Sequence, residues 1–442
     1  MPDQPQSHLG PLSLPGTAFA LLVSELLGLC ASSMGHGVVL WWLASHSSGT
    51  ALAGYSAAMA IAALVTLPLL SPLGDRRAKG PLILHAQLAL GGVACVQCLL
   101  ALTDALGWAS ITACGAAAAL AMAALQPAQT AMLLEVATPQ QLPVAIRVRR
   151  GLQALGSLCG PALAGVVLVS TSLQSALCLQ AVLALLSAVA ALRLGRHLTA
   201  PSPEPRAAWR HALQAGWRAK WRVRVDRWWT LTGALMMVFY GPAIGLLLPL
   251  RLQALPASPL WFGLCSSAFA AGVLAGVLGA ADAVMVRMGR HRAMMLAVTL
   301  CGLCIVAIGY AERAPTVAGL LAVIGLCTAV TQLMGQTHRA LAVPEDFRAR
   351  MAAAQLSVAA LSGVAAPLLA GLLLRWWPVA QVYGAMGGGV LLSALALWAI
   401  PDFRAFLAEG PEQARGWYER RYPGAFIRPS ALEAQTGAAE QD

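Results

Sequence analysis

Long apolar segments dominate this sequence, and they decide which solvent the chain can fold in. A helix needs about 20 mostly apolar residues to cross the hydrocarbon core of a bilayer. The runs reach that length, and they are too long and too weakly alternating for the strands of a membrane β-barrel. We therefore predict an all-α membrane protein. Its twelve transmembrane helices have the approximate bounds 17–43, 51–73, 81–103, 107–134, 148–170, 173–195, 228–250, 259–284, 293–311, 315–340, 351–374 and 378–400.

The composition excludes a soluble domain. Apolar residues make up 58% of the chain and charged residues only 11%, against about 25% charged residues in a typical soluble domain. The mean hydropathy is +0.70. A soluble fold could not cover that much apolar surface, so lipid must be the solvent.

The basic residues fall on one side of the predicted membrane. The net charge is +11, and all but three of the 29 Lys and Arg residues lie on the side that carries both termini. The exceptions are Arg251, Arg313 and Arg375. This is the positive-inside asymmetry, which places both termini in the cytoplasm. Because topology accounts for the basic charge, we expect no nucleic-acid partner.

The second half of the sequence repeats the first. Cys95 recurs as Cys301 and Pro161 recurs as Pro367, in both cases at a distance of 206 residues. A common offset between distant pairs indicates two structurally similar halves of six helices each. The predicted organisation is a cytoplasmic N-terminus (1–16), an N-terminal half (17–195), a basic cytoplasmic linker (196–227), a C-terminal half (228–400) and a cytoplasmic tail (401–442).

Tryptophans alternate with arginines near the end of the linker. This pattern is typical of an amphipathic helix that lies in the headgroup layer. The alternative is a solvated linker that only carries the topological charge. The tryptophans are Trp209, Trp217, Trp221, Trp228 and Trp229.

The loop between the second and third predicted helices reads SPLGDRRAKG from Ser71 onwards. It resembles the cytoplasmic signature of the major facilitator superfamily, G-x-L-A-D-R-x-G-R-R, at Asp75, Arg76 and Lys79. Ser71 and Ala78 stand where glycines are usual. The resemblance covers roughly residues 17–400 and implies the twelve-helix fold of that superfamily, with a small-molecule substrate carried across the bilayer.

The second half carries a degenerate copy of this loop. Arg287, Gly289 and Arg290 match the end of the signature, Asp282 stands at its opening position, and Val286 replaces its aspartate. The acidic and basic groups of the two loops are expected to form a conformational latch, since an acid at a helix end can pair with arginines until transport breaks the contact. The alternative is a loop that is only basic.

The fifth predicted helix contains Gly156, Gly160, Pro161, Ala164 and Gly165. Small residues four positions apart allow close helix packing, and proline frees a backbone bond at which the helix can bend. The pattern resembles the superfamily's antiporter motif, G-x-x-x-G-P-x-x-G-G, with alanine in place of one glycine. In the superfamily this motif marks exporters; a role in packing alone is the alternative.

Residues 126–146 are similar to the branch of bacterial siderophore and macrolide exporters, and residues 417–426 are similar to the tails of siderophore exporters. The resemblance implies proton antiport by alternating access in the bacterial cytoplasmic (inner) membrane. Siderophores are the expected cargo and amphipathic drugs are the alternative. We expect a monomer that needs no cofactor.

Glu25 is the acid that lies well inside a predicted helix of the first half. Ionisable groups inside spanning helices are costly, so they are hypotheses for function. Glu25, Ser32 and His36 share one helical face. Glu25 and His36 are candidate proton carriers, because burial raises the pKa of a carboxyl group and imidazole titrates near neutrality. The alternative is that Glu25 pairs with an arginine near the cytoplasmic surface.

Other polar residues form stripes on helices that line the central cavity in the superfamily. We expect them to bind substrate; for each glutamine the alternative is a hydrogen bond between helices. These candidates are Ser32, Tyr55, Gln126, Gln129, Arg150, Gln153, Tyr240, Gln332, Gln336 and Arg339.

An enzyme is the main alternative class. A membrane transferase would need clustered catalytic residues, and the sequence contains no Walker loop, HExxH or GxSxG element. A receptor with the same fold and no flux is a further alternative. Cys95 and Cys98 lie on one helical face among small apolar residues, so we expect packing and no metal site.

Overall fold

The computed structural model describes residues 16–76, 78–136, 141–194, 214, 216–255 and 257–426. Within these ranges the chain is helical and contains no β-strand. Twelve helical stretches are long and apolar enough to cross a membrane, which confirms the predicted fold class. They are Gly16–His46, Gly49–Thr66, Lys79–Leu102, Trp108–Leu133, Val148–Ser170, Leu173–Leu194, Arg224–Ala254, Pro259–Met288, Arg290–Tyr310, Ala314–Leu333, Glu345–Leu373 and Val379–Trp398.

Helices dominate because a backbone in hydrocarbon must satisfy its own hydrogen bonds. Several of the spans are broken into more than one helix. In chain order the helices are α1 (Gly16–His46), α2 (Gly49–Arg76), α3 (Lys79–Leu102), α4 (Trp108–Val136), α5 (Leu142–Ser170), α6 (Leu173–Ala191), α7 (216–222), α8 (Arg224–Ile244), α9 (Leu247–Ala254), α10 (Pro259–Ala275), α11 (Ala281–Met288), α12 (Arg290–Tyr310), α13 (Ala314–Leu333), α14 (Arg339–Ala342), α15 (Glu345–Leu373), α16 (Val379–Trp398), α17 (Phe403–Ala408), α18 (Pro411–Ala414) and α19 (Trp417–Arg421).

The chain divides into two compact units. The first unit contains residues 1–203 together with Leu252–Ala270, and the second contains Glu204–Arg251 and Ala271–Asp442. The units therefore differ from the two sequence halves, because the first part of α10 belongs to the first unit.

In the first unit, α1 packs against both α5 and α6. A buried polar seam joins α1 to α6, where Ser24 Oγ donates to the carbonyl of Ser187 at 2.9 Å and Ser187 Oγ donates to the carbonyl of Ser24 at 2.7 Å. The helices can approach this closely because Gly28 lacks a side chain. A Cβ atom there would lie 3.0 Å from Gln87 Nε2 and 3.1 Å from Ser187 Oγ.

In the second unit, α12 packs against α13 and α16, and α8 packs against α15 and α16. The buried Arg251 is one of the three basic residues that depart from the charge asymmetry. Its guanidinium donates to the carbonyls of Ile308 and Ala311, at 3.0 and 2.8 Å. These carbonyls lie at the end of α12, so the cation interacts favourably with the negative end of the helix dipole.

Two wide π-helical turns interrupt the regular helices of the second unit. One spans Gly276–Ala280, where Gly279 has a φ of 125° that only glycine adopts easily. The other spans Met334–His338 and separates α13 from α14. Such turns often mark functional positions in helices.

Most of the predicted linker lies outside the described residues, and its last part is α7. The rings of Trp217 and Trp221 stack at 6.0 Å, while Ala219 and Lys220 are buried. The predicted interfacial helix, including Trp209, thus stays a prediction. None of the ten cysteines, all of which lie in the described part of the chain, forms a disulfide bond.

Candidate functional site

A polar cavity of about 390 Å³ lies in the first unit, between α1, α3, α4 and α5. Each helix contributes polar side chains to it, as a binding site for a polar ligand inside a membrane requires. Its lining consists of Glu25, Gly28, Leu29, Gln87, Leu90, Met122, Leu125, Gln126, Gln129, Thr130, Arg149, Gln153 and Ser157.

The carboxylate of Glu25 is the most buried charge in this cavity, with 4% of the residue exposed. Arg149 Nε donates to both carboxylate oxygens, at 2.9 and 2.7 Å. Gln153 Nε2 donates to Oε1 at 2.6 Å. Arg149 Nη1 also donates to Thr130 Oγ1 at 3.1 Å. One guanidinium therefore joins α1, α4 and α5 around a single carboxylate.

Three of the predicted substrate-binding residues line this cavity: Gln126, Gln129 and Gln153. The side-chain amides of Gln126 and Gln129 make no hydrogen bond with any described residue, so both are free to bind a ligand. A hydrogen bond between helices was the alternative for each glutamine. Of Gln126, Gln129 and Gln153, only Gln153 makes such a bond with a described residue, to Glu25.

Arg150 is exposed and does not line the cavity, whereas its neighbour Arg149 does. The sequence contained the signal for Arg149. Arg149, Gln153 and Ser157 recur at steps of four, which places them on one face of α5. Arg150 lies three positions before Gln153, a spacing that also places two residues on one helical face.

The other candidates on α1 and α2 lie outside the lining of the cavity. His36 is exposed, Ser32 is half-buried, and Tyr55 is buried with 5% of its surface exposed. A Cβ atom on Gly115 of α4 would lie 3.2 Å from the Tyr55 hydroxyl, so this tyrosine packs at the contact between α2 and α4. The roles proposed for these three residues stay predictions.

In the second unit, Tyr240 donates to Thr328 Oγ1 at 2.7 Å, and this threonine donates in turn to the carbonyl of Ile324 at 2.8 Å. Gln332, one turn further along α13, is exposed. The side chain of Gln336 lies outside the described residues. Tyr240, which is predicted to bind substrate, therefore links α8 to α13.

Arg339 belongs to a buried ionic cluster at the start of α8. Its Nε donates to Asp226 Oδ1 at 2.6 Å, and Lys220 Nζ donates to Asp226 Oδ2 at 2.7 Å. Tyr418 donates to Oδ1 at 3.2 Å. Burial lowers the pKa of the Lys220 ammonium to about 8, although the adjacent carboxylate acts in the opposite direction. The guanidinium of Arg339 is thus occupied by a protein carboxylate.

The latch residues are only partly described. The side chains of Asp75 and Arg76 lie outside the described residues. Lys79 at the start of α3 is buried and pairs with Glu135 at the end of α4. This contact joins α3, which follows the signature loop, to the end of α4, so the acidic partner lies outside that loop.

In the second half, Asp282 and Arg287 are exposed and form no ion pair among the described residues. Arg290 Nη1 donates to the carbonyl of Glu409 at 2.9 Å. This hydrogen bond joins the start of α12 to the segment that follows the last spanning helix.

The glycines of the antiporter motif lie at close helix contacts. A Cβ atom on Gly156 would lie 2.9 Å from Leu29 Cβ in α1, and one on Gly165 would lie 3.0 Å from the Cα atom of Gly263 in α10. A Cβ atom on Gly263 would lie 2.5 Å from the carbonyl oxygen of Pro161. Both α1 and α10 thus pack on α5 through glycine.

Residues 21–311 match the sequence family described as the Major Facilitator Superfamily, a span of more than half of the chain. The chain belongs to the Major Facilitator Superfamily. Membership agrees with the resemblance of the signature loop, and it makes the chain a member of a family of membrane transporters. No curated protein matches the chain in sequence.

Solved structures of transporters share the superfamily fold with this chain. The peptide transporter POT in complex with sulfate has a TM-score of 0.71 at 15% identity, covering 91% of this chain and 97% of that one. The nucleoside transporter NupG has a TM-score of 0.66 at 13% identity, covering 87% and 98%. A bacterial homologue of the human lysosomal transporter Spinster, inward-facing and unoccupied, has a TM-score of 0.62 at 12% identity, covering 93% and 98%. Such identities establish the fold alone.

Proposed function

We propose that this superfamily member exports a small molecule from the cytoplasm by proton antiport and alternating access. The observation that carries the proposal is the buried carboxylate of Glu25, which lies in the wall of a polar cavity inside a spanning helix. A carboxylate inside a spanning helix is energetically costly, so such residues usually serve a function. Proton relay is a common function of this kind.

The geometry supplies a mechanism for coupling. Ionised Glu25 accepts hydrogen bonds from Arg149 and Gln153. A proton on Glu25 removes the charge that holds the guanidinium, whereas arginine itself stays charged. Protonation therefore releases the side chains of α5 that also line the cavity. Cargo held by those side chains and by the free amides of Gln126 and Gln129 would be bound differently in the two protonation states.

The side chains that line the cavity indicate what kind of cargo it can bind. Its free amides and its hydroxyl groups favour a polar ligand rich in hydrogen-bonding atoms, as a siderophore is. A macrolide-type drug is the second candidate, because the apolar side chains of Leu29, Leu90 and Met122 line the same cavity. With the basic residues inside, the location is the bacterial inner membrane, with both termini in the cytoplasm.

The test of coupling is efflux from everted vesicles that contain the whole chain, driven by an imposed pH gradient. We expect Glu25→Gln to abolish the dependence of efflux on the gradient, and Glu312→Gln, at an exposed carboxylate, to leave it unchanged. Undiminished gradient-driven efflux by Glu25→Gln would remove this residue from the mechanism.

The test of cargo is deletion of the gene in the producing bacterium, followed by analysis of spent iron-poor medium. A siderophore exporter predicts loss of siderophore from the medium. Normal siderophore with raised drug sensitivity favours the multidrug pump. If the chain binds the ligand but carries none across the membrane, the receptor is favoured. If the chain turns over a lipid or sugar donor, the transferase is favoured.

A further inference from the structure

The chain does not stop after its last spanning helix. Residues 403–426, called the docked tail below, fold back against the end of the second unit where α8, α12 and α15 begin, the linker-side end. Large apolar side chains of the docked tail are fully buried there. These are Phe403, Phe406, Leu407 and Tyr418, each with no more than 1% exposed.

Aromatic contacts hold the docked tail to three helices. The ring of Phe403 lies 5.2 Å from that of Trp229 in α8 and 6.2 Å from that of His291 in α12. At the other end of the docked tail, Phe426 lies 5.2 Å from Phe347 in α15. Edge-to-face geometry at these distances is favourable beyond the area that it buries.

Hydrogen bonds to backbone atoms tie the docked tail to further elements. Arg290 in α12 donates to the carbonyl of Glu409 at 2.9 Å, and Arg222 in α7 donates to the carbonyl of Gly424 at 3.2 Å. The amide of Gly416 donates to the carbonyl of Leu341 in α14 at 3.0 Å. The docked tail therefore connects helix ends that are far apart in sequence.

The hydrogen bond between Tyr418 and Asp226 indicates how the docked tail can detach. Its hydroxyl donates to Asp226 at 3.2 Å, but the same carboxylate already has two cations, Lys220 and Arg339, at 2.7 and 2.6 Å. A buried carboxylate without a partner would be costly. Here the carboxylate keeps both cations when the tyrosine leaves, so detachment orphans no buried charge.

The docked tail also covers the π-helical turn Met334–His338. The imidazole Nε2 of His338 lies 3.1 Å from the carbonyl of Phe406, and the two rings lie 4.9 Å apart. A π-helical turn can return to regular helix by shifting one residue, which would move Arg339 and α14. Contact with the docked tail opposes that shift.

From these contacts we infer that the docked tail is a releasable strap: bound, it fixes the linker-side ends of α7, α8, α12, α14 and α15 in one arrangement, and its release by loss of the Tyr418–Asp226 contact lets them move. Alternating access needs movement of helix ends, so strap occupancy sets how readily this end of the unit rearranges. The inference goes beyond the proposed function, because it requires neither a particular cargo nor proton coupling.

The test is hydrogen–deuterium exchange of the full-length protein in lipid nanodiscs. Tyr418→Phe removes only the hydroxyl group. The control is Arg421→Gln in the same tail, because the exposed Arg421 guanidinium contacts Asp402, at 3.4 Å, which also follows the last spanning helix. We expect Tyr418→Phe to raise exchange about tenfold in 403–426, and by a similar factor in 216–222 and 334–342. The control should exchange as the wild type does.

Two outcomes would overturn the strap. In one, exchange rises in 403–426 while 216–222 and 334–342 keep their wild-type protection, so the tail restrains nothing. In the other, Tyr418→Phe and Arg421→Gln behave alike, so the contact with Asp226 is not the anchor. If Tyr418→Phe fails to fold, Arg222→Gln supplies the same comparison, since its hydrogen bond with the tail is exposed.

Discussion

Arg149 Nε lies 2.9 and 2.7 Å from the two carboxylate oxygens of Glu25, across the contact between α5 and α1. The carboxylate is almost fully buried, and the arginine side chain is 14% exposed. An ion pair at this depth holds both helices in position, because removing either charge would leave the other buried without its partner.

Replacing the arginine should therefore destabilise the protein. Arg149→Gln leaves the buried carboxylate with Gln153 as its remaining partner, and we expect a loss of about 3–5 kcal/mol in the free energy of unfolding. Arg150→Gln is the matched control; its side chain is exposed, so the expected change is within about 0.5 kcal/mol. Thermal unfolding of both variants in the same detergent makes the comparison.

The double variant Glu25→Gln/Arg149→Gln should recover part of this loss, because it removes both charges. If the double variant is as unstable as the sum of the single variants, the two residues do not interact, and the ion pair is not the cause.

Much of this site could be predicted from the sequence, and its charge pairing could not. The polar residues of α4 and α5 stand out against an apolar background, so Gln126, Gln129 and Gln153 could be found from helical spacing alone. Which of the adjacent arginines faces inward depends on the phase of α5. A change of one residue rotates a side chain by about 100°, and sequence alone does not fix that phase.

A second prediction concerns the close contact between α5 and α1. A Cβ atom on Gly160 would lie 1.9 Å from Ser33 Oγ and 2.9 Å from the backbone of both Cys30 and Met34. Because the backbone cannot give way as a side chain can, we expect Gly160→Ala to cost about 1–3 kcal/mol.

Gly151, on the same helix, is the control. Nothing lies within 4 Å of a Cβ atom placed there, so Gly151→Ala should stabilise the helix by about 0.5–1 kcal/mol. Melting temperatures should move in opposite directions. A shift of the same sign in both variants would mean that glycine in α5 serves the backbone conformation and not packing.

A third prediction uses the lowered pKa of Lys220, about 8 in the folded protein against 10.5 for the free side chain. Between these values the unfolded chain binds more protons than the folded chain does. Stability must then rise with pH from about 8 to 10, by up to about 1.4 kcal/mol per pH unit from this group. Below pH 8 its contribution is constant.

Chemical unfolding at pH 7, 8, 9 and 10 measures that slope. Lys220→Gln should remove the rise, whereas Arg218→Gln should keep it, since Arg218 is exposed and does not titrate in this range. The window ends near pH 10 because Tyr418, whose burial raises its pKa well above the usual value, acts in the opposite direction there. An equal slope in Lys220→Gln and wild type would contradict the assignment.

A fourth prediction tests the pairing of Lys79 with Glu135. Lys79→Glu places two carboxylates together at the ends of α3 and α4, so we expect lower stability and a lower efflux rate, each partly restored by adding Glu135→Lys. The remaining ionised partner is 27% exposed, so the loss should stay at a few kcal/mol at most. No rescue by the second change would show that the two charges act separately.

The tail illustrates what sequence reasoning cannot supply. Its aromatic residues indicate that it binds some surface. The partner of Tyr418 is Asp226, 192 positions earlier in the chain. No local pattern links two single residues at that distance, because the link exists only after the helices between them have packed.

The allocation of Leu252–Ala270 to the first compact unit bears on how such a polypeptide can be divided. A cut in the linker would produce two defective fragments. The N-terminal fragment would lack Leu252–Ala270, which belongs to its compact unit. The C-terminal fragment would carry this segment without the unit to which it belongs. Only co-expression of both fragments could make either complete. A cut in the linker therefore does not separate the two compact units.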